Sequence, residues 1–97
     1  MQLIHEDFLR LCAKKVVEYE NSRVDNIETI DRDDTFTVWT CKTLQNSKAI
    51  LSAKNKGAYM YEFTMNGDRE EIYMDVYKKV VNIPIDLQGK EITKRTR

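Results

Sequence analysis

The chain has 97 residues, its 16 Lys and Arg balance its 16 Asp and Glu, and 41% of it is hydrophobic. That composition describes one globular domain spanning 1–97 and excludes a disordered chain, although so short a chain buries only roughly 60–68% of its unfolded surface. No apolar run approaches the roughly 18 residues a membrane span needs, and the start MQLIHEDFLRL has no basic signal region, so a cytoplasmic protein without membrane contact is expected.

The balance of charge is uneven along the chain. Residues 1–34 hold nine acids and five bases, 35–66 one acid and four bases, and 67–97 six acids and seven bases. The two cysteines, Cys12 and Cys41, each sit in an apolar-periodic segment, which suits free thiols in a reducing compartment.

From Glu6 to about Asn21, Phe8, Leu9, Cys12, Val16 and Tyr19 recur at spacings of three and four, predicting an amphipathic helix with Glu6 and Asp7 at its positive end. Val24 to Ile30 reads as an irregular connection that could hold a short extra strand near Ile27. Asp31-Arg32-Asp33-Asp34 reads as a solvated turn. A calcium loop would need a glycine at its sixth position and a glutamate at its twelfth, where Lys42 stands.

Four segments follow between Thr35 and Ile83. With turns at Gln45-Asn46, Asn55-Lys56-Gly57 and Asn66-Gly67-Asp68-Arg69, period-two alternation places four triplets on one face: Phe36, Val38 and Thr40; Ala49, Leu51 and Ala53; Tyr59, Tyr61 and Phe63; and Ile72, Met74 and Val76. This register sets Phe63 opposite Ile72, Tyr61 opposite Met74 and Tyr59 opposite Val76. A helix over residues 70–81 competes with the last strand, but alternating aromatic and β-branched residues favour the strand. Pro84 ends it, and residues 88–97 read as a mobile basic tail. The expected fold class is α+β: an N-terminal helix on a four-stranded antiparallel meander in sequential order.

The opposite sheet face presents Trp39, Cys41, Ile50, Met60, Tyr73 and Tyr77 among Ser52, Glu62, Thr64 and Asp75. Such a face must be covered or must bind something. Ile85 and Leu87, or the segment 24–30, could cover it. Otherwise Trp39, Met60, Tyr73, Tyr77 and Ile50 form a binding surface, for a second copy in a homodimer or for a foreign protein. A nucleic acid or nucleotide stacked on these rings, with Lys42, Lys54 and Lys78 near phosphate, is the alternative.

Catalysis finds little footing. His5 is the single histidine and its nearest candidate partner, Cys12, lies on the expected core face; no phosphate loop, GxSxG or HExxH occurs, and no zinc set can be assembled. Glu62 and Asp75 could be neighbours on the second face, a spacing that suits a polar rim as well as acid–base chemistry. No enzyme activity, cofactor or metal is expected. The acids Glu18, Glu20, Asp25, Glu28, Asp31, Asp33 and Asp34 form a second candidate surface, with Asp31, Asp33 and Asp34 as a docking patch for a basic partner.

The runs WTCKTLQNSKAILS (39–52) and YMYEFTMNGDREEIYMDVYKK (59–79) resemble a family of small, functionally uncharacterised proteins of Firmicutes phages and prophages. The resemblance implies expression in the cytoplasm of an infected bacterium and action by binding a host or defence component. It carries no functional residues with it.

Overall fold

The computed structural model describes residues 4–93, and its element order is a helix followed by four strands. Helix α1 spans His5–Ser22, with Glu6 and Asp7 in its first turn and no side-chain cap at Ile4. Its buried stripe is Phe8, Cys12, Ala13, Val16 and Glu20, the i, i+4 series that one helix face presents. A 3-10 turn, Arg32–Asp34, leads into β1 (Thr35–Thr43), β2 (Asn46–Ala53), β3 (Met60–Asn66) and β4 (Glu71–Tyr77). All neighbours pair antiparallel in the order β1-β2-β3-β4, so the fold is α+β, one helix on a sequential meander. Residues 70–81 contain a strand, not a helix.

The core lies between α1 and one sheet face: Phe8, Cys12, Val16, Ala49, Leu51, Tyr61 and Phe63 are almost fully buried, and Ile30 closes one end. Each large apolar side chain buried there is worth about 1.5–3 kcal/mol. Leu51 pairs with Tyr61 on that face, as the alternation requires.

Three details differ from the sequence expectation. In β1, Thr37 pairs with Leu51 but Trp39 pairs with Ile50, so Val38 is an extra bulged residue. The bulge reverses alternation upstream of it: Thr35 and Thr37, not Phe36, share the face of Ala53 and Leu51, while Phe36 stands opposite Ser52 with Trp39's face. The first hairpin loop is Leu44-Gln45, one residue earlier than predicted, with Leu44 at φ 56°. In the last hairpin the register is displaced by two residues: Phe63 faces Met74, Tyr61 faces Val76 and Met65 faces Ile72, while Tyr59 precedes β3. A displacement of two keeps every side chain on its face. Its cause is the tip, where Asn66 pairs with Glu71 and Glu70, not Gly67, takes the left-handed conformation at φ 55°.

No strand forms near Ile27 among the described residues. Side-chain amides take the backbone groups a ladder would need: Asn21 donates to Ile30 O and accepts from Ile30 N, and Asn26 Nδ2 donates to Glu20 O and Glu28 O. Val24 and Ile27 are exposed. After β4 the chain runs out as an arm in which no residue from 78 to 93 is buried. Pro84 to Ile92 closes a small hairpin, with Ile85 bridging Glu91 and Asp86 N–H bonding Lys90 O at 2.8 Å. Positions 94–97 of the expected tail lie outside the described residues. The radius of gyration, 16.7 Å, exceeds the about 13 Å of a compact domain this size because the arm stands away from the body.

Candidate functional site

The alternation that buries one sheet face builds the other in rows across the strands. Trp39, Ile50, Glu62 and Asp75 form one row, Cys41, Lys48, Thr64 and Tyr73 the next, and Met60 pairs with Tyr77 beyond them. Trp39, Met60, Tyr73 and Tyr77 are 48, 42, 56 and 51% exposed, and Ile50 is half-buried between strands. Neither segment expected to cover this face does so: Ile85 and Leu87 are themselves exposed, as are Val24 and Ile27.

The aromatics do not form one continuous row. Trp39 is on one edge strand and Tyr73 and Tyr77 on the other, three strand spacings or about 14 Å apart. Between them lies a polar centre: Glu62 accepts from Lys48 Nζ and from the Tyr77 hydroxyl, both at 2.9 Å. Those two hydrogen bonds hold the Glu62 carboxyl below the ordinary carboxylate range, and the Glu62 bond pushes the Tyr77 hydroxyl up. Tyr73 likewise donates to Glu71. Glu62 faces Asp75 directly, but it is an ion-paired carboxylate whose pKa is lowered, not raised as a carboxyl general acid requires.

Two concavities open on this face. One, of about 320 Å³, lies beside Trp39 and is lined by Cys41, Thr43, Lys48, Thr64 and Asn66. The other, of about 770 Å³, runs past Met60 and Tyr77 to Arg23, Asn55, Tyr59 and Lys78. The lysines considered as phosphate partners stand on separate elements: Lys42 is on β1 opposite Ser47, with the core-side parity of Thr40, and donates to Leu44 O, Lys54 follows β2, and Lys78 follows β4.

Glu20, which the sequence reading placed in an exposed acidic surface, is fully buried. Its Oε1 accepts from Asn55 Nδ2 at 2.8 Å and Arg23 at 2.7 Å; its Oε2 accepts from the Tyr59 N–H at 2.9 Å and the Tyr61 hydroxyl at 2.5 Å. Burial alone would raise its pKa, but the bonds from Asn55, Tyr61 and Tyr59 and the charge of Arg23 outweigh it and leave the group below its ordinary value. Arg23 also stacks 3.8 Å above the Tyr59 ring and pairs with Asp25. The clue was positional, since Glu20 follows Phe8, Cys12 and Val16 at intervals of four. Hydropathy hides it.

His5 is the first residue of α1, its ring sharing hydrogen bonds with Thr40 Oγ1 at 3.0 Å and Ser47 Oγ at 3.3 Å, which ties the helix start to β1 and β2. Cys12 is buried, and burial pushes its thiol up to about 12; Cys41 is exposed. In the acidic turn, Asp31 accepts from Asp33 N and Asp34 from Asp31 N, a reciprocal capping box. Arg10, Lys14 and Arg32 line a groove with Asp31 and Asp33, so the patch carries mixed charge. Among the described residues no three of His, Cys, Asp and Glu gather to hold a metal ion, and no helix is long and apolar enough to cross a membrane.

Neither a curated protein nor a solved structure matches the chain. A family model does match, over residues 9–87, from the first turns of α1 through the four strands to the start of the arm's hairpin. The chain therefore belongs to the family of unknown function DUF6275.

Proposed function

We propose that this is a non-enzymatic interaction protein whose contact surface is the second face of the sheet, with Trp39, Met60, Tyr73, Tyr77 and Ile50 as its apolar contacts. The observation that carries this reading is the open face itself: four large aromatic or thioether side chains are each more than two-fifths exposed on the sheet, with no described segment packed over them. Trp and Tyr are the residue types that most often dominate binding energy at interfaces. The Lys48–Glu62–Tyr77 centre supplies directional polar groups between the apolar edges, which suits recognition of a protein surface.

The resemblance to small phage and prophage proteins supports a setting in the cytoplasm of an infected bacterium, where the protein acts on itself as a homodimer and on a host or defence protein. The mixed charge around Asp31 and Asp33 favours the sheet face over the acidic turn as the principal contact. Sedimentation of the wild type and of the Trp39→Ala, Tyr73→Ala double variant, together with affinity capture from bacterial lysate, tests the reading. Self-association or capture that the double variant loses supports it. Association or capture unchanged by the double variant overturns it.

A further inference from the structure

Two surfaces of this chain lack partners, and they complement each other. One is the second sheet face, whose charged side chains are Glu62, Glu71 and Asp75 against the single Lys48. The other is the arm after β4, where Val80, Val81 and Leu87 are 93, 63 and 100% exposed and Ile83 and Ile85 are also exposed. Its bases, Lys78, Lys79 and Lys90, exceed its acids, Asp86 and Glu91, and the sequence adds Lys94, Arg95 and Arg97 beyond. An acidic aromatic face and a basic aliphatic arm meet the requirements of apolar burial and opposite charge together.

We propose that the arm of one copy lies across the second sheet face of another, so that two chains exchange arms reciprocally. This rests on the reading of that face as an interaction surface and names its occupant. The reach suffices: ten residues from Lys78 to Leu87 extend to about 33 Å, whereas four strands are about 14 Å wide between the outer axes. In this structure the arm leaves its own body, with Leu87 fully exposed while its own Tyr73 and Trp39 stay open. A two-fold exchange uses each arm and each face once and closes as a dimer. Sheet-edge pairing is a weaker route, because the Val38 bulge interrupts β1 and Glu71 and Asp75 place charge on β4.

The test uses the full chain in three forms: wild type, an arm variant (Val81→Asp with Leu87→Asp) and a face variant (Trp39→Ala with Tyr73→Ala). Circular dichroism confirms folding, which the exposed arm substitutions leave intact. Sedimentation velocity over a concentration series and the labelling rate of Cys41, which lies on the face beside Trp39, are the two readouts. The wild type should dimerise with Cys41 protected as concentration rises. Each variant should dissociate at least tenfold more readily and label quickly. Mixing the two variants should restore part of the dimer, because the face of one and the arm of the other remain intact.

A dimer that the face variant loses and the arm variant keeps would overturn arm exchange and leave the face reading standing. A dimer insensitive to both would remove both. A wild type that stays monomeric overturns the exchange whether Cys41 is free, meaning an open face, or protected, meaning an arm folded onto its own sheet.

Discussion

The Tyr61 hydroxyl donates to Glu20 Oε2 at 2.5 Å, joining the last turn of α1 to the start of β3 across 41 residues. That contact anchors the end of α1 at which the carboxylate of Glu20 lies buried in the fold. Around it, Asn55 and the Tyr59 N–H hold the loop between β2 and β3, and Arg23 closes the side toward solvent. Removing the carboxylate while its donors remain is therefore costly. Glu20→Ala should destabilise the protein by about 3–5 kcal/mol, the range for breaking a buried ion pair from one side, measured by urea denaturation. Tyr61→Phe should cost about 1.5–3 kcal/mol, as for loss of one hydrogen bond to a charged group. A Glu20→Ala loss smaller than that of Tyr61→Phe would contradict this account.

Stability should depend on pH through the same residue. Glu20 has its pKa held below the ordinary 4.5 in the folded protein, so the unfolded chain binds the proton first as pH falls. The stabilisation is fully present above 4.5 and is lost as pH drops toward the depressed folded value. The urea midpoint of the wild type should fall across this acidic window, and Glu20→Gln should flatten the dependence. Equal slopes in the two proteins would place the acid sensitivity elsewhere.

Gly67 answers to close approach, not to a special φ. A Cβ there would collide with the Gln45 carbonyl oxygen and come within 2.6 Å of Gln45 Cβ, because the tip between β3 and β4 rests against the tip between β1 and β2. The Gly67 N–H bonds Asn46 Oδ1 at 3.2 Å at the same place. Gly67→Ala should lower stability by about 1–3 kcal/mol, the usual cost of overpacking. Gly57→Ala meets no neighbour and carries only the penalty of its φ of 77°, so a thermal melt in which Gly67→Ala matches wild type would refute the tip contact.

The two thiols should separate cleanly under a disulfide reagent. Cys41 is exposed, whereas Cys12 is buried with its thiol pushed up to about 12, so little thiolate forms near neutral pH. In dilute native protein one thiol should react quickly and the second only at the rate of unfolding. Two fast thiols would mean that α1 opens readily from the sheet.

Periodicity determined most of the architecture. A spacing of three and four made α1, and alternation made the strands and separated Leu51, Phe63 and Tyr61 from Trp39, Tyr73 and Tyr77, because a side chain's face follows from its local backbone period. What alternation cannot carry is an interruption of itself. The Val38 bulge, the Leu44-Gln45 loop and the two-residue displacement at Asn66–Glu71 depend on which backbone groups meet across strands, and Phe36 changed face as a result. The burial of Glu20 was likewise decided by tertiary structure. A carboxylate belongs outside by polarity alone, and only the convergence of Arg23, Asn55, Tyr59 and Tyr61 from three parts of the chain supplies enough donors to keep it charged within the core. The open aromatic face was legible as composition, but its polar centre at Lys48 and Glu62, and the arm that stands clear of it, came from the folded chain.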